Sequence, residues 1–147
     1  MIVRESHWLR SLVGEHASLR ELIQRVETLI SEACDGIDHG YLLYLLSELD
    51  TLTASHMALE EMDGYLHPVR ERLPGATGTI DLLQAEHPRL RDELAQICAA
   101  ARVGASAREL EITTIPRLRQ WIVAMRAHED RENTLMQDAF SDQSAGG

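Results

Sequence analysis

Four stretches of this chain carry apolar side chains at steps of three and four, and in each a histidine stands where the stripe requires an aliphatic residue. The first stripe is Leu9, Leu12, His16, Leu19, Ile23, Val26, Ile30; the second is Leu42, Leu45, Leu49, Leu52, His56, Leu59, with Glu60 beside the seam. The third runs Ile80, Leu83, His87, Leu90, Leu94, Ile97, Ala101, and the fourth Thr114, Leu118, Trp121, Met125, His128, Glu132, Leu135. That spacing turns one face of a 3.6-residue helix toward a core. Four such helices joined by short connections predict an all-α, up-down-up-down antiparallel four-helix bundle with its core along the four seams. Composition agrees, because aromatics make up only 4% of the chain and Leu, Ala, Glu and Arg dominate it.

Turn chemistry sets the expected boundaries. The first helix should close near Cys34-Asp35-Gly36, before Asp38-His39-Gly40, and the second should fade at Gly64 and His67-Pro68. The third should start after Gly75-Ala76-Thr77-Gly78 with Thr79 as N-cap, and the fourth near Ser106, after Val103-Gly104. Pro88 and Pro116 fall inside helical patterns, where a missing N–H predicts a kink or a helix start. At 147 residues the chain is long enough to bury one core, placed at residues 1–140, with residues 141–147 expected as a disordered tail.

The net charge of −10 would repel nucleic acid and anionic membrane surfaces, so neither is expected as a partner. No apolar run approaches the ~20 residues that span a bilayer, and Met1 to Arg10 lacks the apolar stretch of a signal peptide, which points to a cytoplasmic protein. Cys34 and Cys98 lack Cys-x-x-Cys spacing and read as buried, reduced thiols.

The seam histidines form two copies of one pattern. Glu15-His16 is followed by His56 and Glu60, and Glu86-His87 by His128 and Glu132; His16 to His56 spans 40 residues and His87 to His128 spans 41. A lone seam histidine is ordinarily a hydrogen-bonded core residue. Four of them, with two carboxylates at His-x-x-x-Glu spacing on the same helix face, leave many buried donors and acceptors to satisfy. Each unmet one costs about 1–3 kcal/mol, and two facing carboxylates would also repel one another. Cations placed between them remove these penalties together, so His16, His56, Glu60, His87, His128 and Glu132 are the candidate metal ligands, with Glu60 and Glu132 able to bridge. Imidazole and carboxylate suit iron, and also zinc, copper, nickel or manganese. No dedicated catalytic acid or base stands out.

Residues next to the ligands point about 100° away around the helix, so Glu15, Glu61, Glu86 and Glu129 are expected to be solvated or to hydrogen-bond the ligand histidines, with Glu61 and Glu129 the best candidates for an extra ligand. His7, His39 and His67 read as surface residues, and Tyr41, Tyr44 and Tyr65 as packing or surface residues.

The order of His on the first helix, His-x-x-x-Glu on the second, His on the third and His-x-x-x-Glu on the fourth resembles the hemerythrin-like HHE cation-binding family over almost the whole chain. Glu15-His16-x-x-Leu19-Arg20, His56-Met57-x-x-Glu60-Glu61 and His128-Glu129-Asp130-Arg131-Glu132-Asn133 carry the likeness. The resemblance implies a non-heme di-iron centre of two iron ions, with zinc or manganese as possible substitutes. His16, His56, His87 and His128 would be terminal ligands and Glu60 and Glu132 bridges. Oxygen-carrying hemerythrins have a second histidine one turn away on the third helix and an aspartate five residues after the fourth-helix histidine. Here Leu83 and Arg91 flank His87 by one turn, and Asn133 takes the five-residue position. That departure implies a more symmetric and more open centre than that of a dioxygen carrier.

The expected function is to bind or sense dioxygen, nitric oxide or peroxide at this centre. The alternatives are a peroxide-degrading enzyme, an iron donor for the repair of iron centres, and a metal-free helical interaction module.

Overall fold

The computed structural model describes the backbone of residues 2–32, 36–62, 66–103 and 106–145, and side chains within 10–32, 36–62, 66–103 and 106–140. Cys34 and Tyr65, and the side chain of His7, lie outside the described residues. Four long helices form the bundle: α1 (Ile2–Ser31), α2 (His39–Glu60), α4 (Thr77–Arg102) and α6 (Ile115–Ala145). A short helix α3 (His67–Arg72) and a 3₁₀ turn (Pro74–Ala76) connect α2 to α4. A three-residue helix α5 (Ala107–Glu109) and one π-helical turn (Leu110–Thr114) lead into α6. No strand occurs among the described residues, and no helix is long and apolar enough to cross a membrane. The long helices pack in a ring, α1 on α2, α2 on α4, α4 on α6 and α6 back on α1, as an antiparallel bundle requires of consecutive helices.

Local chemistry places the ends. Gly36 supplies a left-handed backbone (φ 107°) before α2, at little cost to a residue with no Cβ. Asp38 caps α2 by accepting from the Tyr41 N–H at 3.0 Å. His39 was expected on the surface, but it is half-buried and its Nε2 donates to the Ala101 carbonyl at 2.8 Å, satisfying a carbonyl near the C-terminal end of α4. Ser106 accepts from the Glu109 N–H at 3.2 Å, so the chain turns helical where the sequence placed that start.

Three boundaries depart from expectation. Helix α4 starts at Thr77, so Thr79 lies inside it and does not cap it. The segment around His67-Pro68, read as a fading helix end, forms α3 with Pro68 in its first turn, where proline's missing N–H costs nothing. Helix α6 continues through Ala145, beyond Phe140, with no Gly or Pro to break it before Gly146. Pro88 sits within an uninterrupted α4, whereas Pro116 falls in the first turn of α6, next to the π-helical turn.

The main core fills one half of the bundle, from Leu19, Ile23, Leu45, Leu49, Leu94, Ile97, Leu118 and Trp121. Val69, Ile80 and Ala139, with Leu66, Leu73, Leu135 and Phe140 packed on them, form a satellite core where α3 lies on α6. On α1, α4 and α6 the seam histidine stands just outside the main-core residues of its helix, and on α2 His56 stands between Leu49 and Met57. Trp121 is nearly fully buried and its Nε1 donates to the Leu90 carbonyl at 2.8 Å. Trp121→Ala is expected to destabilise the metal-free chain by about 3–5 kcal/mol, read from urea unfolding, because it opens a large cavity and removes that donor. Cys98 is buried, its thiol faces the Leu46 carbonyl, and burial pushes it up to about 11, as expected of an inert reduced thiol.

Candidate metal centre

The structure brings all six candidate ligands into one buried cluster. His16, His56, His87, His128, Glu60 and Glu132 each come from a seam position and are no more than 6% exposed. They fall into two overlapping groups, His16-His56-Glu60-Glu132 and Glu60-His87-His128-Glu132, each with ligand atoms within 4.8 Å of one another. Both carboxylates belong to both groups. That sharing is the arrangement two bridging carboxylates between two cations need.

The distances define a hub. Glu132 approaches His16 Nε2 at 3.3 Å, His56 Nε2 at 4.0 Å and His87 Nε2 at 3.9 Å, and lies closest to His128 Nε2. Glu60 approaches His56 Nε2 at 3.1 Å and His87 Nε2 at 3.7 Å. Despite these short approaches, none of the four Nε2 atoms has a hydrogen-bond partner among the described residues, and neither do Glu60 Oε1 and both oxygens of Glu132. Buried polar atoms are almost always paired. Seven of them facing one another without hydrogen bonds fit a shell of donors around cations.

The opposite nitrogen of each imidazole explains why Nε2 faces inward. Each Nδ1 is held by a residue on or at the end of the neighbouring helix: His56 by Glu15 of α1 at 3.1 Å, His87 by Glu61 just past the end of α2 at 3.2 Å, His128 by Glu86 of α4 at 2.8 Å, and His16 by Asn133 of α6 at 2.9 Å. Every brace is the sequence neighbour of a candidate ligand on its own helix. The turn of about 100° per residue carries it off the seam and toward the next helix, so the four bonds close a ring around the bundle. With an acceptor opposite it, Nδ1 carries the proton, which leaves the Nε2 lone pair free for an ion. Arg131 donates to Glu86 at 2.8 Å and, with His128, holds its carboxyl below the ordinary range despite partial burial.

Two expectations change here. Glu61, a candidate extra ligand, is committed to His87 Nδ1. Glu129, the other candidate, is buried with Oε1 unpartnered but belongs to neither ligand group; the hydrogen bond to a histidine expected from Glu129 comes instead from Asn133, one turn further on. His67 is exposed and pairs with Glu71 at 2.8 Å, and Tyr41 and Tyr44 stack on the surface. Those readings hold.

Electrostatics tell the same story. Burial disfavours a charged His56, yet the carboxylates of Glu60, Glu132 and Glu15 outweigh it and raise the imidazole to about 9. Burial likewise opposes protonation of His16 and His128, and Glu132 in each case reverses the sign. Burial pushes Glu60 up, helped by Glu132 beside it, whereas the surrounding histidines hold Glu132 well below the usual carboxylate range. Protons thus neutralise the cluster where cations would otherwise do so.

A cavity of about 20 Å³ adjoins the cluster. Its walls include Leu12, Val69, Ile80, Leu83 and Met136, and at its inner end lie Glu60, Glu132 and, alone among the four histidines, His87. That volume holds about one water-sized molecule.

No curated protein and no solved structure is a significant match to the chain. The hemerythrin HHE cation binding domain matches residues 8–140, which takes in α2 and α4, most of α1 and α6, and every residue of the cluster. With that match added to the bundle and to its two buried His-Glu groups, the chain belongs to the hemerythrin HHE cation-binding family.

Proposed function

We propose that this is a cytoplasmic, non-heme di-iron protein that binds or senses dioxygen, nitric oxide or peroxide. The observation that carries this reading is the convergence of four buried, unpaired Nε2 atoms on two shared carboxylates. In the proposed centre His16 and His56 would hold one iron and His87 and His128 the other, with Glu60 and Glu132 available to both. Bound iron would supply open coordination positions and one-electron redox chemistry.

The chain's own residues do the rest. The Nδ1 braces orient each imidazole, the bridges set the spacing, and the aliphatic walls around His87 admit one small, weakly polar molecule while excluding bulk water. Apart from Glu60, His87 and Glu132, the described residues of the walls offer no titratable side chain, which favours binding over turnover because proton-coupled catalysis needs a positioned acid or base.

The test is anaerobic reconstitution with ferrous iron, then addition of dioxygen, nitric oxide or hydrogen peroxide. New visible absorption in proportion to bound iron is the expected result, and its absence with all three overturns the reading. Loss of many peroxide equivalents per iron pair would assign the enzyme alternative instead. Leu83→Phe fills the cavity from one turn before His87. It should leave two ions bound but weaken ligand binding roughly 5–150-fold, the equivalent of a 1–3 kcal/mol overpacking penalty, in titrations with nitric oxide.

A further inference from the structure

The ring of Nδ1 braces is not uniform. His56, His87 and His128 are held by the carboxylates of Glu15, Glu61 and Glu86, while His16 is held by the amide oxygen of Asn133. A carboxylate acceptor strengthens an imidazole as a metal donor, and a neutral amide does so less. The His87-His128 group therefore has two charged braces and the His16-His56 group has one.

The surroundings of the two groups differ as well. Asn133 is half-buried and lines an open groove of about 380 Å³ between α1 and α6, together with Arg20, Gln24 and Glu129. The cavity at His87 is walled mainly by aliphatic side chains, with Gln84 and the shared Glu60 and Glu132 beside them. The neutral brace thus lies beside a groove from which water and small chelators can compete for it, whereas the Glu61 brace of His87, though exposed, keeps its charge. Glu129, buried against that groove, leaves Oε1 without a partner and is not hydrogen-bonded to His16 Nδ1, so it does not supply the missing charged brace.

We propose that the two ion subsites are inequivalent, that the ion held by His16 and His56 binds last and leaves first, and that Asn133 is the positioning residue that sets this order. This rests on the dinuclear reading above. The cluster as a whole then keeps one firmly held ion beside the aliphatic cavity and one exchangeable ion beside the solvent groove.

Zinc, which is redox-inert, is the probe for the test, titrated into the metal-free full chain in competition with a chromophoric chelator. The wild-type chain should take up two zinc ions in two steps separated by about 10–100-fold, the range in which a histidine's outer partner acts. His16→Ala should keep the tight step, and His128→Ala should lose it. Asn133→Asp keeps the bond to Nδ1 and adds charge, so it should narrow the gap by about tenfold; Asn133→Ala should widen it while leaving the tight step in place. Circular dichroism of each variant confirms the helical fold. A purely structural role for Asn133 would shift both steps together. Two zinc ions of equal affinity would overturn the inequivalence, a tight step surviving in His128→Ala would overturn the order assigned to the subsites, and an unchanged gap in Asn133→Asp would overturn the role of Asn133, each leaving the dinuclear reading in place. Failure to bind any zinc would overturn the dinuclear reading and this inference with it.

Discussion

Glu132→Ala is expected to abolish binding of both ions and to destabilise the metal-free chain by about 3–5 kcal/mol, the cost of removing one partner from a buried ion pair. Glu132 is the group that approaches Nε2 of all four histidines, at 3.3 Å from His16, 4.0 Å from His56, 3.9 Å from His87 and closest to His128. In the proposed centre no other single side chain is shared so widely. The energetic argument runs through the metal-free state. His16, His56 and His128 are raised above their ordinary value against the pull of burial, and Glu132 is among the causes each time. Without that carboxylate, the Nε2 side of the protonated imidazoles would be left facing Glu60, with the remaining carboxylates on the Nδ1 side. Glu60→Gln gives the contrast: burial already pushes Glu60 toward its neutral form, so an amide of the same shape should alter metal-free stability little while still losing metal. Metal content of the purified variants, and urea unfolding after chelator treatment, measure both effects. Two ions retained in Glu132→Ala would remove the hub role assigned to this residue.

The four seams were legible because each long helix must bury one stripe, and a period of 3.6 over 22 residues or more leaves little choice of face. The six candidate ligands were legible for a sharper reason. A histidine costs too much in an aliphatic seam to stand there four times without a shared purpose, and His-x-x-x-Glu spacing fixes the partner's direction. The braces were half legible. A neighbour of a ligand necessarily points off the seam, which was enough to anticipate Glu15, Glu61 and Glu86 as partners of the histidines. It could not choose between Glu129 and Asn133, which stand one turn apart on the same face of α6; how α6 lies against α1 decides which of them reaches His16. Helix α3 escaped detection because six residues hold less than two turns of periodicity, and its one signal, Pro68 in a first turn, also marks helix ends. The role of His39 depends on the Ala101 carbonyl, 62 residues later near the end of α4, a tertiary fact with no local trace.

Loading both subsites is expected to raise the thermal midpoint by roughly 10–20 °C near pH 9 and by progressively less toward acid. An ion present at a hundred times its dissociation constant adds about 2.7 kcal/mol. Two ions add roughly 5 kcal/mol, and a chain of this size gains about 2–4 °C per kcal/mol. The pH dependence follows from the metal-free cluster. In the folded chain His56 titrates at about 9 against 6.5 for the ordinary group. Its bound proton therefore stabilises the metal-free fold fully below pH 6.5, and that contribution disappears as pH rises through about 9. His16, His128 and Glu60 are also raised and act in the same direction. An ion at Nε2 must displace those protons, so apparent affinity climbs over the window in which the metal-free chain weakens. The loaded and metal-free melting curves should separate between pH 6.5 and 9 and converge in acid, where protonated imidazoles release the ions. Glu132, held low, keeps its negative charge and its own stabilising contribution until the pH falls well below the usual carboxylate range. The measurement is calorimetry of zinc-loaded and chelator-treated protein at matched ionic strength across that range. A gap that stays constant from pH 6 to pH 9 would mean that the ions and the protons do not compete for the same nitrogens.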